Sequence, residues 1–492
     1  MHRKIRRVIF ILAALIFLTA ALLLVFYSWG YRWDKEKLQL VLTGGLYLKT
    51  NIVKPQIYLD GKFLKKATPS LLSSGIFLSN LLPDAYQLEI KKENYFGWRK
   101  KIEVESRMVT TFSSIVLLPQ NPLKIDVYRP TAENATNTKT KIQEEIIDFL
   151  PLLNGKEIIV QTKETATTTN AVLKIYNLNN QSEIEIYRQK LAKGEEINLI
   201  PKLIINDADA SGIIFDLIKN NSKTFYLWQK IQPEKLIDFS AEIARVFKLK
   251  NPLQKIVFYP NIDSKYVILS GKDLMWIDFN KNESKKIIGN IRDFIIKDYS
   301  IFWIDYNGAV FSYNLILDSS TPLDILELDK DAKIKRMFAS PNNQYLGILF
   351  DNGKFYLLKS GQATEEISGI KDLVFAPDSK KLTYLNANGE VRVRFLTNFS
   401  GDVIKERGEE ILITQSANQK EAKLEWYNDS QHLIIQNGKT IYFAEVDDRD
   451  KINIFEENLD FEKYLLSNNK NGTIWGITSN LIQKIDLLYE NI

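Results

Sequence analysis

The beginning of the chain and the remainder follow two different hydrophobic patterns. Residues 8–27 (VIFILAALIFLTAALLLVFY) contain no charged side chain and a single aliphatic hydroxyl, that of Thr19. At a rise of about 1.5 Å per residue, a helix of this length spans about 30 Å, the hydrocarbon thickness of a bilayer. The pattern predicts one transmembrane helix over 8–27.

From residue 38 onward, short apolar runs alternate with clusters of Asn, Asp, Gly, Lys and Ser. DLMWIDFN (273–280) and SIFWIDYNG (300–308) are examples, and IIQNGKTIYF (434–443) adds the Asn-Gly signal of a β-hairpin. Apolar runs of this length between turn formers are typical of β-strands. Helical spacing is rare, and residues 233–246 are the best candidate for a short helix. The sequence therefore predicts an all-β protein after one N-terminal helix.

The apolar segment favours an uncleaved membrane anchor over a signal peptide. It is longer than the roughly 7–15 apolar residues of a signal peptide, and its small-residue site, Thr19-Ala20-Ala21, lies inside the apolar run. An aromatic belt follows at Tyr27, Trp29, Tyr31 and Trp33, where the helix is expected to end. A cleaved signal peptide remains the alternative.

Charge near the helix ends predicts the orientation of this anchor. Residues 1–7 contain four Lys or Arg residues, whereas Arg32, Lys35 and Lys37 follow the helix. The positive-inside rule then places 1–7 in the cytoplasm as a basic tail and exports the C-terminal domains. A cytoplasm-facing scaffold tethered by the same helix differs only in topology.

Composition excludes several classes of function. The formal net charge is +5, of which four charges lie in residues 1–7, so the remainder shows no basic face for nucleic acid. The chain has no cysteine, which excludes disulfides and thiolate chemistry. The two histidines, His2 and His432, provide no multi-histidine metal site.

Residues 36–118 form the first predicted domain, a small β-sandwich. IYLDGK (57–62) combines a strand with an Asp-Gly turn, and YQLEIK (86–91) alternates apolar and polar side chains. Together with Thr68-Pro69 and LPDAYQLEIKKENY (82–95), these elements resemble a PEGA domain, the small sandwich module of bacterial and archaeal surface proteins. An unrelated Ig-like sandwich is the alternative.

Two positions depart from the PEGA pattern, and one loop is longer. Asp84 and Asn94 stand where the family usually has glycine, and both are expected to adopt positive φ. LSSGIF (72–77) is interpreted as an insertion. The basic residues of this region are expected on the solvated side of the strands, namely Lys91, Lys92, Arg99, Lys100 and Lys101.

Residues 123–492 contain internal repeats that predict a β-propeller. The pattern of RMFASPNNQYLGILFDNG (336–353) recurs in DLVFAPDSKKLTYLNANG (372–389) and, less closely, in other segments. Residues 141–492 divide into eight units of about 44 residues, the usual length of a propeller blade. The turns at Ser340 and Ala376 resemble the Ser-Pro-Asp-Gly hairpin of TolB-like and WD-type propellers, with Asn343 and Ser379 replacing the glycine.

The ends of the repeat region suggest how such a ring closes. The last unit has room for three strands, and LKIDVYR (123–129) is an isolated strand before the first unit. We therefore expect 123–129 to complete the last blade. Eight blades fit the spacing, with seven as the alternative.

Candidate sites for chemistry are better explained by structure. Asp207 to Gly212 resembles the start of a calcium loop but lacks the later ligands, which favours a hairpin turn. His432 is interpreted as structural, and the strand tryptophans as core between blades: Trp228, Trp276, Trp303, Trp426 and Trp475. No catalytic, cofactor-binding or metal residue is assigned.

The sequence as a whole predicts a prokaryotic, single-pass cell-membrane protein without enzymatic activity. Its extracytoplasmic propeller is expected to bind a protein or a cell-wall glycan, without cofactors and without nucleic acid. A surface enzyme acting on glycans or peptides from a propeller face is the alternative function.

Overall fold

The computed structural model describes residues 3–35, 37–66, 75–130, 143–166, 168–219, 222–329, 331–415, 422–459, 461–466 and 473–486. Within these residues, one apolar helix precedes an all-β body, as predicted. Met1 and His2 of the basic tail, Thr68-Pro69 and residues 72–74 of the loop insertion lie outside the described residues.

The N-terminal helix α1 (Arg3–Ser28) is long and apolar enough to cross a membrane. None of its apolar segment is buried inside the protein, and it ends within the predicted aromatic belt. The guanidinium of Arg32 lies 3.6 Å from the centre of the Tyr27 ring and donates a hydrogen bond of 2.9 Å to the Tyr27 carbonyl oxygen. Length and composition are those of a membrane span or a signal sequence.

The sandwich follows a short hairpin and consists of two sheets. The hairpin pairs β1 (Tyr31–Asp34) with β2 (Gln39–Leu42). One sheet has the order β6-β3-β9 and the other β5-β4-β7-β8. The strands are β3 (Gly44–Thr50), β4 (Gln56–Leu59), β5 (Lys62–Lys66), β6 (Ile76–Leu81), β7 (Asp84–Lys91), β8 (Trp98–Val104) and β9 (Val109–Ile115).

Alternation along the strands builds a core shared by the two sheets. Leu88 and Ile90 of β7 are buried, as the period-two pattern predicts, and they cluster with Leu46 and Leu48 of β3. The Asp60-Gly61 turn joins β4 to β5, with φ of 50° and 73°. Each sheet thereby covers the apolar face of the other.

The two positions without glycine behave differently from each other. Asn94 has a φ of 63°, which agrees with the prediction of a left-handed residue. The same prediction is wrong for Asp84, which is the first residue of β7 and is not among the residues with positive φ. The Asp84 carboxylate instead accepts a hydrogen bond of 2.8 Å from the Ala85 N–H. A short polar side chain can stabilise a turn in this way without a left-handed backbone.

Eight successive four-stranded sheets make up the described part of residues 124–486. The first sheet comprises β11 (Gln143–Pro151), β12 (Glu157–Thr165), β13 (Thr169–Asn177) and β14 (Glu183–Lys190), and the second β15 (Ile204–Ile205), β16 (Gly212–Lys219), β17 (Ser222–Gln229) and β18 (Leu236–Asp238). The third comprises β19 (Leu253–Phe258), β20 (Lys265–Ser270), β21 (Asp273–Asp278) and β22 (Glu283–Ile288), and the fourth β23 (Ile291–Lys297), β24 (Ser300–Asp305), β25 (Ala309–Asn314) and β26 (Ser319–Ile325). The fifth comprises β27 (Ile334–Ala339), β28 (Leu346–Phe350), β29 (Phe355–Leu358) and β30 (Glu365–Ile367).

The sixth sheet carries a small extra hairpin, and the eighth takes one strand from before the first sheet. The sixth comprises β31 (Ile370–Phe375), β32 (Lys381–Asn386), β33 (Glu390–Phe395) and β36 (Glu410–Gln415), with the hairpin β34 (Phe399–Ser400) and β35 (Ile404–Lys405). The seventh comprises β37 (Lys423–Trp426), β38 (His432–Asn437), β39 (Thr440–Glu445) and β40 (Ile454–Asn458). The eighth comprises β41 (Lys463–Leu466), β42 (Thr473–Thr478), β43 (Leu481–Asp486) and β10 (Lys124–Tyr128), which pairs antiparallel with β43.

This arrangement is that of a β-propeller. Each of the first seven sheets runs antiparallel in chain order, and first strands of successive sheets contact each other, as β15 with β19 and β31 with β37 do. Buried clusters fill the spaces between neighbouring sheets, such as the one that joins the third and fourth sheets around Trp303. A sheet that is apolar on both faces is buried only between two neighbours, which is the physical basis of the ring.

The turns between the first and second strands are linked from sheet to sheet. Asn343 and Ser379, at the two replaced glycine positions, both have a φ of 58°. The Ser379 hydroxyl accepts a hydrogen bond of 3.1 Å from the Asn342 N–H, and the Ser430 hydroxyl accepts one of 3.0 Å from the Asp378 N–H. The serine hydroxyl thus provides an inter-sheet contact that glycine could not supply.

A single short α-helix interrupts the propeller among the described residues. α2 (Phe239–Phe247) begins six residues later than the predicted segment 233–246. Asp238 caps it by accepting a hydrogen bond of 3.0 Å from the Ala241 N–H, while Leu236–Asp238 pairs as strand β18. Pairing with β17 therefore takes the first residues of the predicted helix.

Candidate functional site

The junction between the sandwich and the seventh sheet contains a buried cluster of charges. Lys100 of β8 is fully buried, so the prediction that it lies on a solvated face is wrong. Its ammonium group forms an ion pair with the Glu445 carboxylate, lies 3.6 Å from a carboxylate oxygen of Asp447 and donates 2.8 Å to the Asp447 carbonyl oxygen. β8 is an edge strand, which lets this side chain leave the sandwich core for the propeller.

The acids of this cluster are fully engaged by donors from both domains. Glu445 accepts hydrogen bonds of 2.8 Å from the Trp98 indole N–H and 2.9 Å from the Asn453 N–H. Burial raises the pKa of Asp447, but the hydrogen bonds from Arg449 and the charge of Lys100 outweigh it and hold that pKa below its usual value. Asp447 is therefore ionised at neutral pH.

Arg449 continues the junction onto the second sheet of the sandwich. Its guanidinium donates a hydrogen bond of 3.0 Å to the Thr111 carbonyl oxygen and lies 4.0 Å from the centre of the Phe112 ring. Asp402, in the hairpin of the sixth sheet, accepts 2.9 Å from the Ser113 hydroxyl. Both sheets of the sandwich are thus held, and the two domains are packed as one unit.

The surface has two clefts, one next to the junction and one farther around the ring of sheets. A cleft of about 430 Å³ lies between the sandwich and the seventh sheet, lined by Lys91, Phe96, Arg99 and Phe455 among others. A second, of about 440 Å³, lies between the second and third sheets, with Phe258 and Tyr266 in its apolar wall. Neither lining contains a group of three metal-binding side chains, nor does any other part of the described chain.

One carboxylate stands at a position that other sheets fill with apolar side chains. Two residues before the turn between the first and second strands begins, the third, fifth and sixth sheets have Val257, Phe338 and Val374, which pack toward the next sheet. The seventh sheet has Glu425 there. Burial raises the pKa of Glu425 to about 7, only partly offset by Lys423.

The variant Glu425→Gln is expected to change how stability depends on pH. The folded pKa is about 7 against an ordinary 4.5, so the folded state holds its proton more tightly than the unfolded state does. The stabilisation that protonated Glu425 contributes to the folded state is fully present below about pH 4.5 and is lost as the pH rises to 7. Glu425→Gln should therefore gain stability over the native chain above pH 7, by at most about 3 kcal/mol. Thermal unfolding from pH 4.5 to 8 measures it.

Glu283→Gln is the matched control, because it removes an exposed carboxyl from outer strand β22. Its stability difference from the native chain should not vary across this pH range. The same flat profile for Glu425→Gln would show that Glu425 is not desolvated in the folded protein.

The tryptophans of the strand runs lie where the sequence places them, between sheets. Trp228 joins the first and second sheets, Trp426 the sixth and seventh, and Trp475 the eighth and first. Trp303 is buried and Trp276 packs against the same cluster between the third and fourth sheets. They form core and not a surface for stacking sugars.

The calcium-like loop and His432 also have structural roles. The Asp207 carboxylate accepts hydrogen bonds of 3.0 Å from the Asp209 N–H and 3.1 Å from the Ser211 N–H, closing the turn between β15 and β16. His432 is buried, and its Nδ1 lies 2.6 Å from a carboxylate oxygen of Asp429. Asp429 also accepts 3.0 Å from the His432 N–H, so the pair stabilises the turn before β38.

Sequence reasoning missed the junction cluster. Its residues are more than 340 positions apart, as Lys100 and Glu445 are, and no local pattern connects them. The one available signal was the alternation along β8, which places Lys100 on the same face as Trp98, Ile102 and Val104. A charged residue in phase with a buried face predicts a buried charge that must be paired.

Comparisons with known proteins add little to this description. No protein-family model matches the sequence, and no curated protein matches it. Among solved structures, "Kluyveromyces lactis Hsv2 complete loop 6CD" is similar at 13% identity with a TM-score of 0.38, covering 64% of this chain and 98% of that one. A eukaryotic initiation factor is similar at 12% identity with a TM-score of 0.41, covering 76% and 85%. The propeller assignment therefore rests on the strand topology of this chain.

Proposed function

We propose that this chain is a membrane-anchored scaffold that presents an eight-bladed propeller outside the cytoplasm for binding a protein or a cell-envelope component. The observation that supports this most is the junction. Lys100, Glu445, Asp447 and Arg449 hold the sandwich against the propeller, so one unit connects the anchor helix to the binding domain.

The sandwich acts in this proposal as a PEGA-like spacer. β3 begins next to the end of α1, since the Thr43 N–H donates 3.0 Å to the Gly30 carbonyl oxygen. β8 and β9 contact the propeller through Lys101, in the middle of β8, and Ser113, near the end of β9. The second half of β8 and the turn after it therefore lie between the propeller contact at Lys101 and the end of α1.

The eight four-stranded sheets are taken as eight blades, with β10 completing the last. Pairing a strand from before the first blade with the last one closes the ring by hydrogen bonds along both strands. Such closure favours a stable platform with loops on two faces. Binding through those loops, without catalysis, is the function proposed for it.

Topology and anchoring can be tested on intact cells, because the chain has no native cysteine. A single cysteine at exposed Ile325 of the propeller should react with a membrane-impermeant maleimide without permeabilisation. A cysteine at Ile5, at the cytoplasmic end of α1, should react only after permeabilisation. Labelling of the cysteine at position 325 only in permeabilised cells would contradict export, and loss of the protein from carbonate-washed membranes would contradict anchoring.

A further inference from the structure

We propose that one face of the propeller rests on the lipid bilayer that anchors α1, through aliphatic side chains at the tips of its turns. This inference rests on the proposed membrane anchoring and adds an orientation and a lipid contact. The face is formed by the turns between first and second strands and between third and fourth strands, and is called the sandwich-side face below.

The contacts along β8 show on which side of the propeller the sandwich projects. Phe96, just before β8, lies 5.9 Å from Phe455 of β40, measured between ring centres. Farther along, the Lys101 N–H donates 2.7 Å to Asp450, in the turn between the third and fourth strands of the seventh sheet. Along β8, the contacts with the propeller thus pass from strand β40 to the tip of the turn before β40. The remainder of β8 extends beyond the sandwich-side face.

The anchor helix is attached at that projecting end. The turn after β8 contains Arg107, whose N–H donates 3.1 Å to the Thr43 carbonyl oxygen, and the Thr43 N–H in turn contacts Gly30 after α1. From Lys101 to Val104, where β8 ends and the turn begins, three residue steps of extended chain span about 10 Å. The helix, and with it the bilayer, therefore lies on the same side as the sandwich-side face.

Hydrogen bonds between neighbouring turns show that these turns form one continuous face. Asn206 of the turn after β15 donates 2.7 Å to Asp263 after β19. Asn261 donates 2.7 Å to Tyr299 of the fourth sheet. Asn343 donates 2.8 Å to Asp298, which joins the fifth sheet to the fourth, and with the serine contacts of the later sheets these bonds run from the second sheet to the seventh.

Exposed aliphatic side chains stand at the tips of this face. Ile231 follows β17 and Leu317 precedes β26, so both lie in turns between third and fourth strands. They are 86% and 73% exposed. Other exposed tips of the same face are Leu153, Ile316 and Ile404.

The position of these tips favours lipid as the occupant. In a ring of eight, the third sheet lies opposite the seventh, which carries the sandwich, and Ile231 and Leu317 lie in the sheets on either side of the third. Transmembrane helices tilt by about 20° on average, and headgroups extend about 5–8 Å beyond the hydrocarbon. Because the junction holds the propeller against the sandwich, a tilt directed away from the sandwich lowers the far side of the propeller onto the headgroups. The tether keeps the bilayer at high local concentration, so shallow insertion of a few aliphatic side chains is sufficient.

The strand β26 offers a matched pair of positions for the test. Leu317 and Ile325 flank its two ends and are both 73% exposed, but Ile325 belongs to the opposite face. The full chain, with a single cysteine at one of these positions and an environment-sensitive fluorophore, is reconstituted in vesicles of phosphatidylcholine and phosphatidylglycerol. Lipids with a headgroup spin label serve as quencher. The label at 317 should be quenched severalfold more strongly than the label at 325.

A second pair, Ile231 and Ile218, lies at opposite ends of the hairpin β16–β17 and should give the same difference, with 231 the more strongly quenched. Equal quenching within both pairs, or stronger quenching at 325 and 218, would overturn the lipid contact. Association of the unlabelled chain with carbonate-washed vesicles is measured in parallel. If the chain stays bound while quenching is equal, only this inference fails; if it is washed off, the proposed anchoring fails as well.

Discussion

The variant Lys100→Met is expected to loosen the junction between the sandwich and the propeller more than any other single charge removal. Methionine keeps the aliphatic stem but leaves the Glu445 carboxylate buried without its cation. Removing one partner of a buried ion pair typically costs about 3–5 kcal/mol, because the remaining charge stays desolvated. Hydrogen exchange should rise in β8, in β9 and in the turn before β40, and should stay unchanged in the second to fifth sheets.

Arg245→Ala provides the control for loss of one positive charge. Arg245 forms an ion pair with Glu242 on the surface of α2, with 71% of the arginine side chain exposed. Ion pairs on the surface contribute about 0–1 kcal/mol to stability, so this variant should leave hydrogen exchange at the junction unchanged from the native chain. If Lys100→Met behaves like Arg245→Ala, the junction is held by apolar packing and not by the buried charges.

Gly308→Ala is expected to destabilise the fourth sheet strongly. Gly308 has a φ of 87°, and a Cβ there would lie 2.2 Å from the carbonyl oxygen of Leu326. That oxygen is main chain and cannot move away as a side chain would, and the Leu326 N–H also donates 2.9 Å to the Gly308 carbonyl oxygen. Left-handed strain and overpacking together predict a loss of about 3–5 kcal/mol. Thermal unfolding of the purified chain measures this loss.

Gly438→Ala separates the two causes of that loss. Gly438 lies in the equivalent turn of the seventh sheet with a φ of 60°, and nothing lies within 4 Å of the position of its Cβ. Only the backbone strain remains, for which about 1–2 kcal/mol is expected. Equal losses in the two variants would mean that the contact with Leu326 relaxes without cost.

Turns show how far local sequence predicts this structure. The Asn437-Gly438 signal correctly predicted the hairpin of β38 and β39, because two-residue loops depend on the φ of their own residues. Asn94 was predicted to be left-handed for the same local reason. Asp84 was also predicted to be left-handed, but it is not. Its carboxylate accepts a hydrogen bond from the Ala85 N–H, and the chain enters β7 directly.

Sequence alone determined the apolar helix, the strands and the repeat of four strands, since each depends on hydrophobic period and turn residues within about 45 positions. It also placed Trp228 and Trp303 in the core, because a large apolar side chain in a strand of a propeller is buried between sheets. It could not reveal that Lys100 is buried against Glu445 or that Ser379 accepts a hydrogen bond from the fifth sheet. Only the tertiary structure decided these, because burial and pairing depend on which distant surfaces meet, and that is set by how the sandwich and the sheets pack together.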